Sequence, residues 1–349
     1  MTDPEAPYGD PPGLDLTALR RWLDDAAPGL LDGPLTAQVV AGGKSNLTYR
    51  VTDGTTRVVV RRPPLGHVLA TAHDMGREHR VMTALAPTPV PVPRTYAQCT
   101  DDSVVGAPFY VMEHVDGTPY RTREELEALG PERTRAISER MVDTLADLHL
   151  VDPDEVGLRD FGRPEGFLAR QVRRWGQQLD ASRSRELAGS DALRARLAAG
   201  VPRETPPAIV HGDYRLDNIL TDDADRMAAV VDWEMATLGD PLTDVALLLT
   251  YQRVAARGAG GVSTVSLAPG YLTEDELAQR YAARTGRDLD HLGFYEGLAC
   301  FKLAVILEGI HYRFVQGQTV GEGFSRVGEM TEPLLALGHE AMDRLDADH

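Results

Sequence analysis

Two short apolar runs in the second half of the chain end in acidic residues, and this pattern limits the fold more than any other feature. Ala208-Ile209-Val210 leads into His211-Gly212-Asp213-Tyr214-Arg215-Leu216-Asp217-Asn218, and Ala229-Val230-Val231 leads into Asp232-Trp233-Glu234. An Asp, an Asn five residues later and an Asp fourteen further on are thereby expected at strand edges. Asp and Asn are also common in surface turns, where they bond their own backbone. The second cluster argues for a site, because Asp232 closes a run of buried-strand character and is followed by Trp233-Glu234 rather than hairpin chemistry.

At such an edge one carboxylate, Asp213, can orient an acceptor hydroxyl, while an amide oxygen and a second carboxylate hold Mg²⁺ against a nucleotide's phosphates. That pattern suits phosphoryl transfer. Arg215, two residues beyond Asp213, could offset charge on the transferring phosphoryl or form a surface ion pair. His211 is expected to order the loop rather than exchange protons. Asp240 and Asp244, in the run that opens the next apolar helix, are expected to support the loop, with acids placed favourably for the helix dipole.

At 349 residues, 42% of them hydrophobic, the chain exceeds the usual single-core size, so two lobes with a site in the cleft between them are expected. A net charge of -17 argues against nucleic acid or an anionic membrane as partner. Cys99 and Cys300 lie far apart without metal-type spacing, which fits a reducing, cytoplasmic setting. Met1 to Gly13 is Pro-rich and acidic, lacks the pattern of a signal peptide, and is expected to be a disordered tail. No apolar run approaches membrane-spanning length. Nothing in the sequence indicates the oligomeric state.

Residues 14–115 are expected to form an N-terminal lobe. Leu16, Leu19 and Leu23 mark a first helix, and Val39-Val40, Leu47 to Val51 and Arg57 to Val60 mark strands, with Asp53-Gly54 as a hairpin turn. A helix from about Ala72 to Leu85 follows, then the strand Phe109 to Met112. Residues 116–349 are expected to form a mainly helical C-terminal lobe, with a loop at Arg257 to Val262.

Ala41-Gly42-Gly43-Lys44-Ser45-Asn46 invites comparison with a P-loop, but the position that should hold the first Gly is Gln38. The segment instead suits a strand-turn-strand in which Gly42 and Gly43 let backbone amides approach phosphates and Ser45 adds a donor; a plain hairpin fits as well. Glu78 shares a stripe with Met75, Met82 and Leu85, so it faces inward and needs a partner. Arg61 or Arg62 is the nearest cation, and strand alternation allows one of them to face it. Glu113 to Val115 follow an apolar strand, where a connector's backbone could meet an adenine edge.

Together these residues resemble the aminoglycoside phosphotransferase family, which shares the protein-kinase-like α+β fold of an antiparallel N-terminal sheet and a helical C-terminal lobe. Arg61-Arg62-Pro63-Pro64, Ala72-His73-Asp74, Arg77-Glu78, Tyr110 to Gly117, Arg170-Gln171-Val172 with Trp175, and Phe301-Lys302-Leu303-Ala304 look like the branch linked to acyl-CoA dehydrogenases. The resemblance implies ATP or GTP with Mg²⁺, Asp213 as catalytic aspartate, Asn218 and Asp232 as metal ligands, and Arg61 as the phosphate-facing cation paired with Glu78. Its acceptor would be a small-molecule hydroxyl: a hydroxy acid or hydroxyacyl-CoA in that branch, an aminoglycoside in the resistance enzymes. Tyr251, the Gly-rich loop after it and the segment Leu298 to Phe314 are the expected acceptor region; Lys302, His311 and Arg313 in that segment would suit an anion or lie on a solvated face. Glu274-Asp275-Glu276 could serve a cationic acceptor, although Thr273 before them points to a helix cap. A nucleotide-binding regulatory module is the alternative from another class, motivated by Arg where the usual residue is Lys.

Overall fold

The computed structural model describes residues 10–40, 46–65, 74–258, 262–318 and 326–347. The turn residues Gly42, Gly43 and Ser45, the pair Ala72-His73 and part of the expected loop at 257–262 lie outside the described residues. The chain divides into two compact units, Met1–Gly117 with Ala228–Ala236, and Thr118–Met227 with Thr237–His349. The boundary expected near Val115 therefore falls after Gly117. The Asp232 segment, expected in the C-terminal lobe from its place in the chain, belongs to the first unit.

The first unit contains helices α1 (Leu16–Ala26) and α2 (Met75–Leu85) and strands β1 (Thr36–Val39), β2 (Leu47–Thr52), β3 (Arg57–Arg62), β4 (Thr95–Cys99) and β5 (Phe109–Glu113). The strands form one antiparallel sheet in the order β1-β2-β3-β5-β4. Asp53 makes the β2–β3 turn, its Oδ1 accepting the N–H groups of Thr55 (2.9 Å) and Thr56 (2.7 Å), with Gly54 at φ 94°.

Alternation gives this sheet two different faces. Val58, Val60, Tyr49, Val51, Phe109 and Val111 pack into one apolar cluster with Leu19 and Leu23 of α1. Asp15 starts α1 by accepting from Ala18 N at 2.8 Å. Arg62 falls on this face, where its Nη1 donates to the carbonyls of Gly13 and Val105. The Tyr49 hydroxyl donates to Pro12 O at 2.6 Å. Pro12 and Gly13, which fall within the tail expected over 1–13, are thus bonded to the packed chain. On the opposite face Arg61 and Tyr110 are register partners, and α2, capped by Asp74, brings Glu78 to them.

The second unit contains α3 (Arg123–Glu127), α4 (Pro131–Leu150), α5 (Phe167–Ser182), α6 (Ser190–Ala199), α7 (Leu242–Ala256), α8 (Glu274–Thr285), α9 (Leu292–Val315) and α10 (Thr331–Ala347). Its short strands include β6 (Ala208–Val210) and β7 (Ile219–Thr221); β8 (Met227–Val230) runs out of it, and β9 (Thr237–Gly239) pairs antiparallel with β6. The wholly apolar β6, buried along its length, can be nothing but interior, so the polar residues that follow it emerge at a fixed place. Helix α9 buries residues around much of its circumference, from Phe294 and Leu298 to Phe301 and Val305, and packs against α5, α7 and α10. No described helix is long and apolar enough to cross a membrane.

Candidate active site

In the first unit six polar side chains from five segments meet on the α2 face of the sheet. Arg61 Nε lies 3.1 Å from Glu78 Oε2, and Arg61 Nη2 donates to Asp232 Oδ1. The Tyr110 hydroxyl donates to Glu78 Oε2 at 2.9 Å, and Asn46 Nδ2 bridges Glu78 Oε1 (3.0 Å) and Glu234 Oε2 (3.2 Å). Of the two arginines, it is Arg61 that pairs with Glu78. Burial pushes the Glu78 carboxyl up to about 7 against the opposing pull of Arg61 and Tyr110. The Tyr110 hydroxyl, raised by burial and by the neighbouring Glu78 charge, stays a donor.

Asp232 sits at φ 67°, a left-handed conformation that Asp tolerates better than most residues. Just beyond it, Trp233 is buried and donates Nε1–H to Val230 O at 2.9 Å. Further bonds hold the segment on the unit: Val230 N–H donates to Pro91 O at 2.8 Å, and Arg77 donates from Nε and Nη2 to Ala236 O at 3.3 and 3.0 Å. Glu113 exchanges two bonds with Arg94: its backbone N–H donates to Arg94 O (2.8 Å), and its Oε2 accepts Arg94 N–H (3.1 Å). Val115 is half-buried beyond the end of β5.

In the second unit the turn after β6 is held chiefly through its backbone. Asp244, in the first turn of α7, accepts His211 N–H at 2.7 Å on Oδ2 and Gly212 N–H at 2.8 Å on Oδ1. His149 Nε2 lies 3.3 Å from Asp244 Oδ2, and Tyr281 bonds the other ring nitrogen at 2.8 Å. Burial alone would raise the Asp244 carboxyl, but His149, His211 and the N–H bond outweigh it and hold the group below its usual range. Asp240 has the supporting role expected of it, accepting from Thr205 Oγ1 (2.9 Å), Tyr295 Oη (2.8 Å) and Leu242 N (3.1 Å).

This frame presents Asp213. Its Oδ1 accepts the Tyr251 hydroxyl at 2.8 Å, and its Oδ2 accepts Asn218 Nδ2 at 3.1 Å. Asn218 Nδ2 also donates to the Asp213 carbonyl at 2.9 Å, so the amide's oxygen is turned away from the loop. Arg215 Nη2 pairs with Asp217 at 2.9 Å, while its Nε lies 3.5 Å from Asp213 and its guanidinium stacks over the Tyr251 ring. Asp213 N–H donates to His211 Nδ1 at 3.3 Å, which gives His211 the ordering role expected of it.

Two of these residues, Tyr110 and Asn46, carry no polar role in the sequence pattern, and a third, Lys302, takes a different one. Tyr110 lies in a strand that the sequence marks as apolar, yet its register opposite Arg61 puts it on the polar face. Asn46 closes the segment expected to be a turn, and its amide joins Glu78 to Glu234. Lys302, weighed as an acceptor contact or a solvated residue, turns inward and donates Nζ–H to Gly212 O at 2.8 Å. The acids proposed for a cationic acceptor are engaged elsewhere: Glu276 completes a capping box with Thr273 and bonds Arg135 at 2.8 Å, and Glu274 pairs with Arg253 at 2.6 Å.

The model of the phosphotransferase enzyme family, APH, matches residues 36–295. The chain belongs to that family. Within it, the chain is 33% identical over 343 residues to acyl-CoA dehydrogenase family member 11 of Gallus gallus, covering 95% of this chain and 44% of that protein. It is 33% identical over 327 residues to acyl-CoA dehydrogenase family member 10 of Mus musculus, covering 92% of this chain and 30% of that protein. The chain thus spans less than half the length of these curated relatives. A crystal structure from Ralstonia eutropha, assigned as an aminoglycoside phosphotransferase, superposes with a TM-score of 0.83 at 33% identity, covering 95% of this chain and 98% of that one. The complex of APH(4)-Ia with AMP-PNP and hygromycin B, at 14% identity and a TM-score of 0.60, covers 93% of this chain and 98% of that one. As an APH-family phosphotransferase, the chain has the protein-kinase-like fold expected from its sequence.

Proposed function

We propose that the chain is a Mg²⁺-dependent kinase that moves the γ-phosphoryl group of ATP or GTP to the hydroxyl of a small anionic acceptor, a hydroxy acid or its CoA thioester. The observation that carries this reading is the Asp213 carboxylate, fixed at both oxygens by Tyr251 and Asn218 on a loop whose backbone is pinned by Asp244. A half-exposed carboxylate held in this way can accept the hydrogen of an acceptor hydroxyl and aim its oxygen.

Asn218 and Asp232 would be the metal ligands. The Asn218 amide spends its donors on Asp213, leaving a carbonyl oxygen, and Asp232 is a partly exposed carboxylate; both are the hard oxygen donors Mg²⁺ takes alongside phosphate and water. When bound, the ion would neutralise charge on the phosphates. Arg61, held by Glu78, would contribute positive charge at the phosphates, and Arg215 would do so beside Asp213. The backbone of the Gly42-Gly43 turn, with Ser45, and that of the Glu113 to Val115 connector would meet the nucleotide. An anionic acceptor suits the Arg215 guanidinium beside Asp213, and the acids that a cationic aminosugar would need are spent on capping and ion pairs.

The test is a transfer assay with γ-labelled ATP and Mg²⁺ across hydroxy acids, hydroxyacyl-CoAs and aminoglycosides. Label should pass to the acids or thioesters, and Asp213→Asn should cut transfer by ~10²-fold or more while retaining nucleotide binding. Undiminished turnover in Asp213→Asn would sink the assignment, and transfer to aminoglycosides alone would overturn the acceptor class.

A further inference from the structure

We infer that Lys302 is a positioning residue for Asp213, acting through the peptide that joins Gly212 to it; this rests on the reaction proposed above. Gly212 takes a φ of 84°, open to glycine at little cost, and both sides of the residue are then fixed from different helices. Its N–H is held by Asp244 of α7, and its carbonyl accepts Lys302 Nζ of α9 at 2.8 Å. The carbonyl of Gly212 and the N–H of Asp213 belong to one planar peptide, whose other end donates to His211 Nδ1. Holding the carbonyl therefore sets the rotation of the plane from which the Asp213 Cα departs.

The ammonium is itself confined. Trp175 of α5, a buried residue, places its ring centroid 5.9 Å from Nζ, and burial lowers the Lys302 pKa against the opposing charges of Asp213 and Asp244. A lysine set in a helix as apolar as α9 must find an acceptor, and the one it finds is the backbone next to the reacting carboxylate. Without it the Gly212 carbonyl loses its clamp and the plane can turn. Displacement of a reacting group by about 1 Å costs on the order of 10²-fold in rate.

The experiment is a double-mutant cycle of Lys302→Met with Asp213→Asn in the full chain, reading Mg·ATP hydrolysis with water as acceptor, together with hydrogen exchange of the 208–218 segment. Lys302→Met alone should lower kcat ~10- to 100-fold, leave KM for ATP within about twofold, and speed exchange at 211–213 while protection of α7 and α9 is kept. In the Asp213→Asn background the same change should cost less than about threefold, because the group it positions is already disabled. An equal factor in both backgrounds, unchanged exchange at 211–213, or protection lost throughout α7 and α9 would each overturn the inference. If Asp213→Asn lowers turnover and Lys302→Met does not, this inference alone fails. If Asp213→Asn leaves turnover intact, the functional reading fails and takes the inference with it.

Discussion

The clusters around Glu78 and around Asp213 hold carboxylates by opposite means. Glu78 is gripped side chain to side chain, by Arg61, Tyr110 and Asn46, in a site so buried that its charge is costly. The Asp213 loop is gripped mainly by its backbone, through Asp244 and Lys302, and leaves the Asp213 carboxylate half-exposed. Ion pairs assembled from long side chains can re-form around a different charge, whereas a pinned backbone keeps a short carboxylate in one place. Under the proposed reaction, the first design would suit a group that exchanges partners when phosphates bind, and the second a group whose direction matters.

The largest effect should come from removing the pin. Asp244→Ala would leave the His211 and Gly212 N–H donors of the turn after β6 without their acceptor and His149 without its carboxylate, a loss of about 3–5 kcal/mol by the cost of orphaning buried partners. Denaturant unfolding would measure it. A loss below about 1 kcal/mol would mean that the turn is held by something other than this carboxylate, and the contrast between the two clusters would break.

The two buried carboxylates should also respond to pH with opposite sign. Glu78, raised from 4.5 to about 7, binds a proton in the folded chain that the unfolded chain has released. Its contribution to stability therefore falls as pH rises from ~4.5 to ~7, by up to about 3 kcal/mol, and is level above that. Asp244, lowered from 3.8, contributes stability that is present above its unfolded value and is lost as pH falls through the folded one. Measured between pH 5 and pH 8, wild-type stability should decline relative to Glu78→Gln as pH rises. Parallel curves for the two proteins would show that the Glu78 charge is not strained.

What could be foreseen in the sequence follows the range of the interactions. Asp213 and Asn218, five residues apart on one turn, were legible together because local geometry brings them together. The inward face of Glu78 was legible from the apolar stripe around it, but its choice of Arg61 over Arg62 needed the strand's phase, which only the sheet supplies. Strand β4 passed unnoticed because it is a half-exposed edge strand, Thr-Tyr-Ala-Gln-Cys, with little alternation to betray it; β9 is three residues long. The tie between Lys302 and Gly212 spans 90 residues, and helical spacing alone could not say which acceptor a lysine in an apolar helix would find. The available signal was that an acceptor had to exist.

The finest test separates the carboxylate from its frame. Tyr251→Phe removes the hydroxyl that donates to Asp213 Oδ1 and keeps the ring beneath the Arg215 guanidinium. A hydrogen bond to a charged acceptor is worth roughly 1.5–3 kcal/mol when nothing replaces it, but Asp213 is exposed enough for water to take the vacated oxygen, so about 1 kcal/mol is the expected loss. In turnover that is about fivefold, with Tm shifted by no more than ~2 °C. The two residues that hold the oxygens then contribute aim, and the backbone contributes place. If Tyr251→Phe cost as much turnover as Asp213→Asn, the side-chain bond would be setting the position of the carboxylate, and this loop would belong to the same design as the Glu78 cluster.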